Sequence, residues 1–277
     1  MDTKVYHALH MCGRILKHAA LLIVSVVCLF PFFWMIVGAT NSSSDITKGV
    51  LTIGHEFMNN LKGITQDGNN IFIAVKNTAI ITICQNVFSI LICAMAGYGF
   101  EKYRNPIRDK LFSAFLLTMM IPFAAIMIPL FNLMFDANLI DTKLSVILAS
   151  ICNTFLIFFF RQSFKALPSE IIEAARIDGA GEFFIFFRMA IPPMRSTFAA
   201  AFIYAFMKEW NNSLWPLITL QKKESQTLTL FVSSLSSAYY VDYGQIMVAV
   251  VIATLPTAII FMLMQKQFVQ GILGSSK

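Results

Sequence analysis

Six apolar runs, each long or nearly long enough to cross a bilayer, divide this chain into hydrocarbon and loop; they cover residues 19–38, 71–99, 111–135, 144–160, 198–220 and 244–264. A hydrocarbon core about 30 Å thick takes roughly 20 residues of helix at about 1.5 Å each. The shortest run, 144–160, has 17 residues and needs its flanks to cross. Inside hydrocarbon every backbone N–H and C=O must be satisfied within the protein, which leaves helices or closed barrels. Runs this continuously apolar select helices. The expectation is an all-α integral membrane protein with six transmembrane helices in a single domain over residues 1–277. The content of 57% hydrophobic and 13% charged residues agrees, since soluble domains carry about 25% charged residues.

The first run resists reading as a cleaved signal peptide, whose apolar core is about 7 to 15 residues long. Residues 19–38 make 20, with Phe30, Phe32, Phe33 and Trp34 among them. Pro122 and Pro129 fall inside the third run and Pro256 inside the sixth. Each removes a backbone hydrogen bond, so these positions are expected to face protein rather than lipid.

Six spans place both termini on one side, and the loop charges say which. The terminal side holds 14 Lys and Arg residues and the opposite side 5, so the positive-inside rule makes both termini cytoplasmic. The net charge of +6 is dispersed among these loops, which argues against a nucleic-acid partner. Cys12, Cys28, Cys84, Cys93 and Cys152 show no C-x-x-C spacing, and His7, His10, His18 and His55 are scattered, so no metal site is expected. No Gly-Lys dipeptide occurs, which excludes a phosphate-binding P-loop. No nucleophile and base or paired-carboxylate arrangement stands out either, so no catalytic residues are assigned.

The most polar interruption between late spans is residues 168–193, with Glu170, Glu173, Arg176, Asp178, Glu182 and Arg188. Ser169 is placed to cap a short helix whose first turn carries Glu170. Gly179 supplies the left-handed backbone that stops it, the chain restarts near Glu182, and Pro192 and Pro193 end the second helix. The order Glu173-Ala174-Ala175, three residues, Gly179, nine residues, Met189-Ala190-Ile191-Pro192 resembles the E-A-A-x3-G-x9-I-x-L-P loop of ABC importer membrane subunits, with Met189 and Ile191 where that pattern has Ile and Leu.

Other segments resemble the maltose-type, carbohydrate-uptake permeases of that family. They are Ala96-Gly97-Tyr98-Gly99-Phe100 with Glu101 to Arg104, Ile128-Pro129-Leu130, Leu139-Ile140-Asp141-Thr142, Trp210-Asn211 with Leu214-Trp215-Pro216-Leu217, and Gln265 to Gly271. The likeness runs from about residue 70 to the C-terminus; before that only the layout matches. It implies a permease subunit of an ATP-driven sugar importer in a bacterial or archaeal cell membrane. The cytoplasmic coupling helix would lie between the fourth and fifth spans, with Glu173, Ala174, Ala175, Asp178, Gly179 and Pro192 as its ATPase-coupling residues. The implied partners are a second related permease, a dimer of ATPase subunits that use ATP and Mg, an extracytoplasmic solute-binding protein, and a carbohydrate substrate.

For a translocation path, residues 209–212 carry the signal. Glu209 lies twelve residues beyond Thr197, about 18 Å along a helix, where a carboxylate facing lipid costs roughly 2.5 to 3.5 kcal/mol. It is expected to face a cavity, with Trp210, Asn211 and Asn212 offering a stacking surface and amides to sugar hydroxyls. Tyr239 and Tyr240, in the loop 221–243, stand where the resemblance implies docking of the binding protein. The alternative is an ion-coupled secondary transporter of a small polar solute. It would show two similar halves and carboxylates at mid-membrane, whereas no internal repeat is evident and only Glu209 lies deep.

Overall fold

The computed structural model describes residues 3–66 and 70–272, and every regular element among the described residues is helical. Lys277, one of the charges counted above, lies outside them. The chain divides into two compact units: residues up to Asn70 with Ser234–Ile252, and Ile71–Ser233 with the chain from Ala253 on.

In the first unit, α1 (Thr3–Gly38) continues through Pro31. Its apolar side chains, Leu22, Val27 and Leu29 among them, are exposed, as suits a helix solvated by lipid. α2 (Ser43–Thr47) and α3 (Phe57–Gly63) follow, tied back by buried amides. Asn60 Nδ2 donates to the Ala39 and Asn41 carbonyls at 3.1 and 3.0 Å. Asn41 Nδ2 donates to the Val37 and Thr52 carbonyls at 3.0 and 2.8 Å. Asn41-Ser42-Ser43 fits the N-x-[ST] glycosylation pattern, but the Asn41 amide is buried with both of its N–H groups used.

The second unit is arranged around α4 (Ile71–Lys102), whose 32 residues run about 48 Å. Next come α5 (Pro106–Thr118), α6 (Phe123–Asp136), α7 (Lys143–Ser150), α8 (Thr154–Phe164), α9 (Ser169–Ile177) and α10 (Glu182–Phe184). Then α11 (Arg195–Trp210), α12 (Leu214–Thr219) and α13 (Leu228–Ser236) lead to α14 (Tyr243–Ile272). α14 begins in the first unit, where Asp242 accepts the Gly244 N–H at 3.0 Å and the Ser43 hydroxyl at 2.7 Å.

Among the described residues, three stretches are long and apolar enough to cross a bilayer unaided: Gly13–Gly38, Ile71–Lys102 and Tyr243–Gln267. Two further runs are bent pairs. The stretch 111–135, expected as one span, is α5 and α6 meeting at 101°, and α7 and α8 meet at 43°. Pro122 lies at the sharper break, directly before α6. The fifth run, 198–220, is α11 of 16 residues and α12 of 6, parted at Asn211–Ser213. The loop 221–243 is not plain connector, since α13 occupies part of it with Leu228, Leu230 and Phe231 buried.

α4 buries a polar row, Asn77, Thr78, Thr82, Gln85, Asn86 and Ser89, and three of these side chains, Asn77, Thr78 and Gln85, bond to other segments. Asn77 Nδ2 donates to the Glu224 and Gln226 carbonyls at 2.8 and 3.0 Å, and Thr78 Oγ1 accepts the Leu228 N–H at 2.8 Å. Gln85 Nε2 donates to the Ser150 carbonyl at 3.0 Å, where α7 ends. Cys93 Sγ accepts the Asn153 N–H at 3.4 Å, just before α8 starts. A broken helix frees backbone groups that hydrocarbon cannot satisfy, and at the α7/α8 break α4 supplies the partners. Gly97 sets how close α4 and α8 come. A Cβ there would lie 2.8 Å from the Arg161 nitrogen and 2.8 Å from Phe160 Cβ, so only glycine permits the approach.

Candidate functional site

The loop 168–193 is built on a two-sided helix. In α9, Ile172 and Ala175 are buried against Phe160, Phe164, Ile185 and Phe186. Ile171, Glu173, Ala174 and Ile177 are exposed, Ile177 at 87%. Glu170 sits in the first turn as expected, but the residue preceding α9 is Pro168, with no side-chain cap, and Ser169 is already helical. Proline's fixed φ opens the helix here, so no hydroxyl cap is needed.

Gly179 ends α9 with φ +84°. The Gly179 N–H donates to the Arg176 carbonyl at 3.0 Å and the Ala180 N–H to the Ala175 carbonyl at 2.9 Å, the paired bonds of a Schellman motif. No atom lies within 4 Å of where a Cβ at Gly179 would stand, so its backbone conformation alone requires glycine. The chain restarts at Glu182, as expected from sequence. Continued by a π-helical turn, Ile185–Ala190, this second helix ends before the prolines as expected, and a 3-10 turn, Pro192–Met194, leads into α11. Pro192 falls in the first turn of that 3-10 segment, where its missing N–H costs little.

Three residues to which the sequence assigned no coupling role, Arg176, Glu182 and Tyr103, fix the loop to the end of α4. Arg176 Nε donates to Glu182 Oε1 at 2.7 Å across the glycine turn. The Arg176 guanidinium sits 4.9 Å from the centre of the Tyr103 ring, and the Tyr103 hydroxyl hydrogen-bonds Glu182. The bond from Arg176, then that from Tyr103, holds the Glu182 carboxyl below the usual glutamate range. Burial, then the bond to Glu182, pushes the Tyr103 hydroxyl up. Lys102 Nζ also donates to the Leu167 carbonyl just before α9. Arg161 pairs with Asp109 and with Glu101, its guanidinium 3.9 Å from the Phe112 ring centre. The available signal was opposite charge on either side of a glycine stop, Arg176 and Glu182. The carboxylate that closes the loop is Glu182; Glu173 and Asp178 stand exposed.

What remains open on this loop is a groove of about 770 Å³, lined by Ile171, Ala174, Asp178, Gly179, Phe184 and Met189 among others. With Ile177, Phe183 and Phe184 exposed around it, the loop offers an apolar, small-residue surface rimmed by acids. Such a patch on a stiffly held helix can receive a protein partner.

The second candidate region is a cavity of about 580 Å³ within the second unit. Its walls come from both helix bends and from α11 and α12: Phe123, Ser150, Asn153, Glu209, Asn212 and Trp215 are among its residues. Glu209 is 5% exposed and accepts from Asn212 Nδ2 at 3.3 Å. Of the four path residues expected from sequence, Glu209 and Asn212 line this cavity. Trp210 is buried elsewhere, donating Nε1 to the Ala253 carbonyl at 2.9 Å and stacking on Phe206, and Asn211 is exposed with its amide on the Met207 carbonyl at 2.8 Å. Helical geometry separates them, because adjacent residues point about 100° apart. Tyr239 and Tyr240 are both strongly exposed. Among the described residues no group of three His, Cys, Asp or Glu side chains gathers to hold a metal.

Comparison with known proteins places the chain in a family. Residues 89–274 match the family described as "Binding-protein-dependent transport system inner membrane component". The chain is 44% identical over 263 residues to the lactose transport system permease protein LacG of Rhizobium radiobacter, covering 95% of this chain and 96% of that one. It is 35% identical to the arabinooligosaccharides transport system permease protein AraQ of Bacillus subtilis, covering 91% of each. Among solved structures it resembles a chain of a bacterial ABC transporter involved in the import of the acidic polysaccharide alginate, with TM-score 0.80 at 22% identity over 93% of this chain and 97% of that one. That likeness is one of fold.

Proposed function

Since this chain belongs to the family of binding-protein-dependent transport system inner membrane components, we propose that it is one of two membrane subunits of an ATP-driven carbohydrate importer, with the α9 loop receiving the ATPase. Membership makes it a multi-pass permease that works with a partner permease, an ATPase and a binding protein. The relatives named for lactose and for arabinooligosaccharides support a sugar as its substrate.

The observation that carries the coupling role is the pairing of an exposed face with a rigid mount. Ile171, Ala174, Ile177 and Gly179 face outward, while Ile172, Ala175, Arg176 and Glu182 fasten the same nine-residue helix to α4 and α8. A push on that face is transmitted into the spans rather than absorbed by a slack loop. Glu173 and Asp178, exposed at the rim, are placed for the partner, and Pro192 begins the stretch that hands the motion to α11. ATP and Mg would bind to the partner ATPase.

In this reading α1, α4, the two bent pairs, α11 with α12, and α14 make six spans with both termini cytoplasmic, and Tyr239 and Tyr240 face the binding protein outside. The loop charges support that orientation. The test is isolation of the tagged protein in mild detergent. A nucleotide-binding subunit should accompany it, and Ile177→Asp should release that subunit. A monodisperse, ATPase-free protein that transports on an ion gradient would overturn the proposal.

A further inference from the structure

We infer that the groove between the end of α4 and the start of α5 binds one phospholipid with an anionic headgroup, and that its occupancy steadies the α9 loop through Tyr103. The inference rests on the importer reading for what the loop does, and adds to it a lipid that bears on the coupling contact.

The groove is built into the last two turns of a span. Ala96, Gly99, Phe100 and Tyr103 follow one another on α4 at three- and four-residue steps and share a face, while Arg108 and Leu111, three apart on α5, form the facing wall. Its volume is about 440 Å³. Phe100 packs on Phe112 and Phe115 of α5, with ring centres 5.4 and 5.9 Å apart, which fixes the spacing of the two walls. No atom lies within 4 Å of where a Cβ at Gly99 would stand, so the groove is open where that side chain is missing. Ala96 lies seven residues before Tyr103, about 10 Å along the helix. The groove therefore runs from the polar end of a helix long and apolar enough to cross a bilayer into its hydrocarbon depth.

The polar end is cationic, and its acids are already paired. Lys102, Arg104, Arg108 and Lys110 cluster at the end of the span, a pattern that suits anionic lipid. Asp109 accepts from Arg161 at 2.5 Å, and Glu101 pairs with both Arg104 and Arg161. Arg108 has five N–H donors. Among the described residues its bond goes to the Tyr103 carbonyl at 2.6 Å, and no carboxylate pairs with it. Its guanidinium stands 5.5 Å from the centre of the Tyr103 ring, at the mouth of the groove. Arg104, its side chain half exposed, adds a second guanidinium in the turn between the helices.

This pairing of walls selects the ligand. Free phosphate matches the guanidinium groups and leaves the apolar wall empty; an acyl chain alone does the reverse. A choline headgroup brings its own cation beside Arg104 and Arg108, where like charges repel. A phosphatidylglycerol-type lipid answers both ends, its phosphate taking paired bonds from Arg108 and one chain lying along Ala96, Gly99, Phe100 and Leu111. The same Tyr103 ring carries Arg176 at 4.9 Å, and its hydroxyl bonds Glu182. A phosphate on Arg108 holds that guanidinium beside the ring and so steadies the residue on which the α9 loop is mounted.

The test places the purified protein, with whatever subunits accompany it, in phosphatidylcholine nanodiscs containing a trace of phosphatidylglycerol with a photoactivatable acyl chain; crosslinked peptides are read by mass spectrometry. Crosslinks should concentrate on residues 96–111 and fall about 10-fold in Arg108→Gln, the loss of one bond to a charged group. They should fall as far in Gly99→Leu, whose side chain fills the groove without a clash at Cβ and keeps every charge. Lys110→Gln, two residues from Arg108 and so off its helix face, should crosslink like wild type. Excess unlabelled phosphatidylglycerol should compete and sodium phosphate should not. Equal crosslinking in wild type, Arg108→Gln and Gly99→Leu would mean annular contact only and would overturn the site, as would competition by sodium phosphate. Hydrogen exchange at residues 176–184 should slow several-fold when phosphatidylglycerol is added to wild type and stay unchanged in Gly99→Leu; no slowing in wild type would overturn the link to the loop. Absence of an accompanying ATPase would count against the importer reading alone, because the crosslinking needs neither ATPase nor transport.

Discussion

Gly179 and Asp141 each close a turn with positive φ, at 84° and 63°, and the two turns are held in opposite ways. At Gly179 the surroundings are empty and two backbone bonds within the loop suffice. At Asp141 a side chain occupies a conformation that costs L-residues roughly 1–2 kcal/mol, and the surrounding chain holds it there. Its carboxylate accepts the Gln221 and Lys222 N–H groups at 2.6 and 2.9 Å, and its own N–H donates to the Thr219 carbonyl at 2.8 Å. The bonds from Lys222, first, and Gln221 hold that carboxyl below the usual aspartate range. One turn is saturated by its own chain and works as a junction. The other leaves its outer face unclaimed, which is what a docking surface requires.

The largest effect should come from Gly179→Pro. Proline's φ near −65° is incompatible with +84°, so the Schellman turn is lost and α9 with it. ATP hydrolysis should uncouple from uptake while membrane insertion, read by fractionation, is retained; normal uptake by this variant would remove the coupling role. Asp141→Ala breaks the other turn and should cost about 1 kcal/mol of stability, the low end for bonds to a solvent-open carboxylate. Thermal unfolding in detergent should show it, and Asp141→Asn, which tolerates positive φ and keeps an acceptor, should lose less. If Asp141→Ala uncoupled hydrolysis from uptake as strongly as Gly179→Pro, the contrast between junction and docking surface would collapse.

Smaller effects concern the mount. Arg176→Ala should speed hydrogen exchange at residues 176–184 several-fold without releasing α4. The pH dependence has a definite sign at each end. Glu182 is depressed in the folded loop, so its contribution is complete above the ordinary glutamate value near 4.5 and is lost as pH falls through the folded pKa. Tyr103 is raised, so its contribution is complete below about 10 and is lost as pH rises through its folded pKa. Exchange at 176–184 should therefore show a constant protection factor between about pH 5 and 10. A break near neutrality would point to a different group holding the loop.

How much of this was legible depended on the range of the cause. The stop at Gly179 and the restart at Glu182 are local, set by backbone freedom and flanking residues, and they read directly from sequence. Prolines were ambiguous because their effect depends on what replaces the lost bond. Pro31 and Pro256 stay inside helices, Pro192 and Pro193 sit in a 3-10 turn, and Pro122 borders a 101° bend. The mount was hidden because Tyr103 and Arg176 are 73 residues apart and meet only once α4 and α9 pack. The path residues were found as a cluster but not resolved, since a run of four on a helix end points in several directions and only packing shows that Trp210 turns to Ala253.

The polar row buried along α4 limits what can move. A helix with amides and hydroxyls at Asn77, Thr82, Gln85 and Asn86 cannot rotate that face into lipid without exposing groups that each cost several kcal/mol in hydrocarbon. Whatever rearrangement opens the path to one side and then the other, α4 is obliged to keep the same face inward throughout.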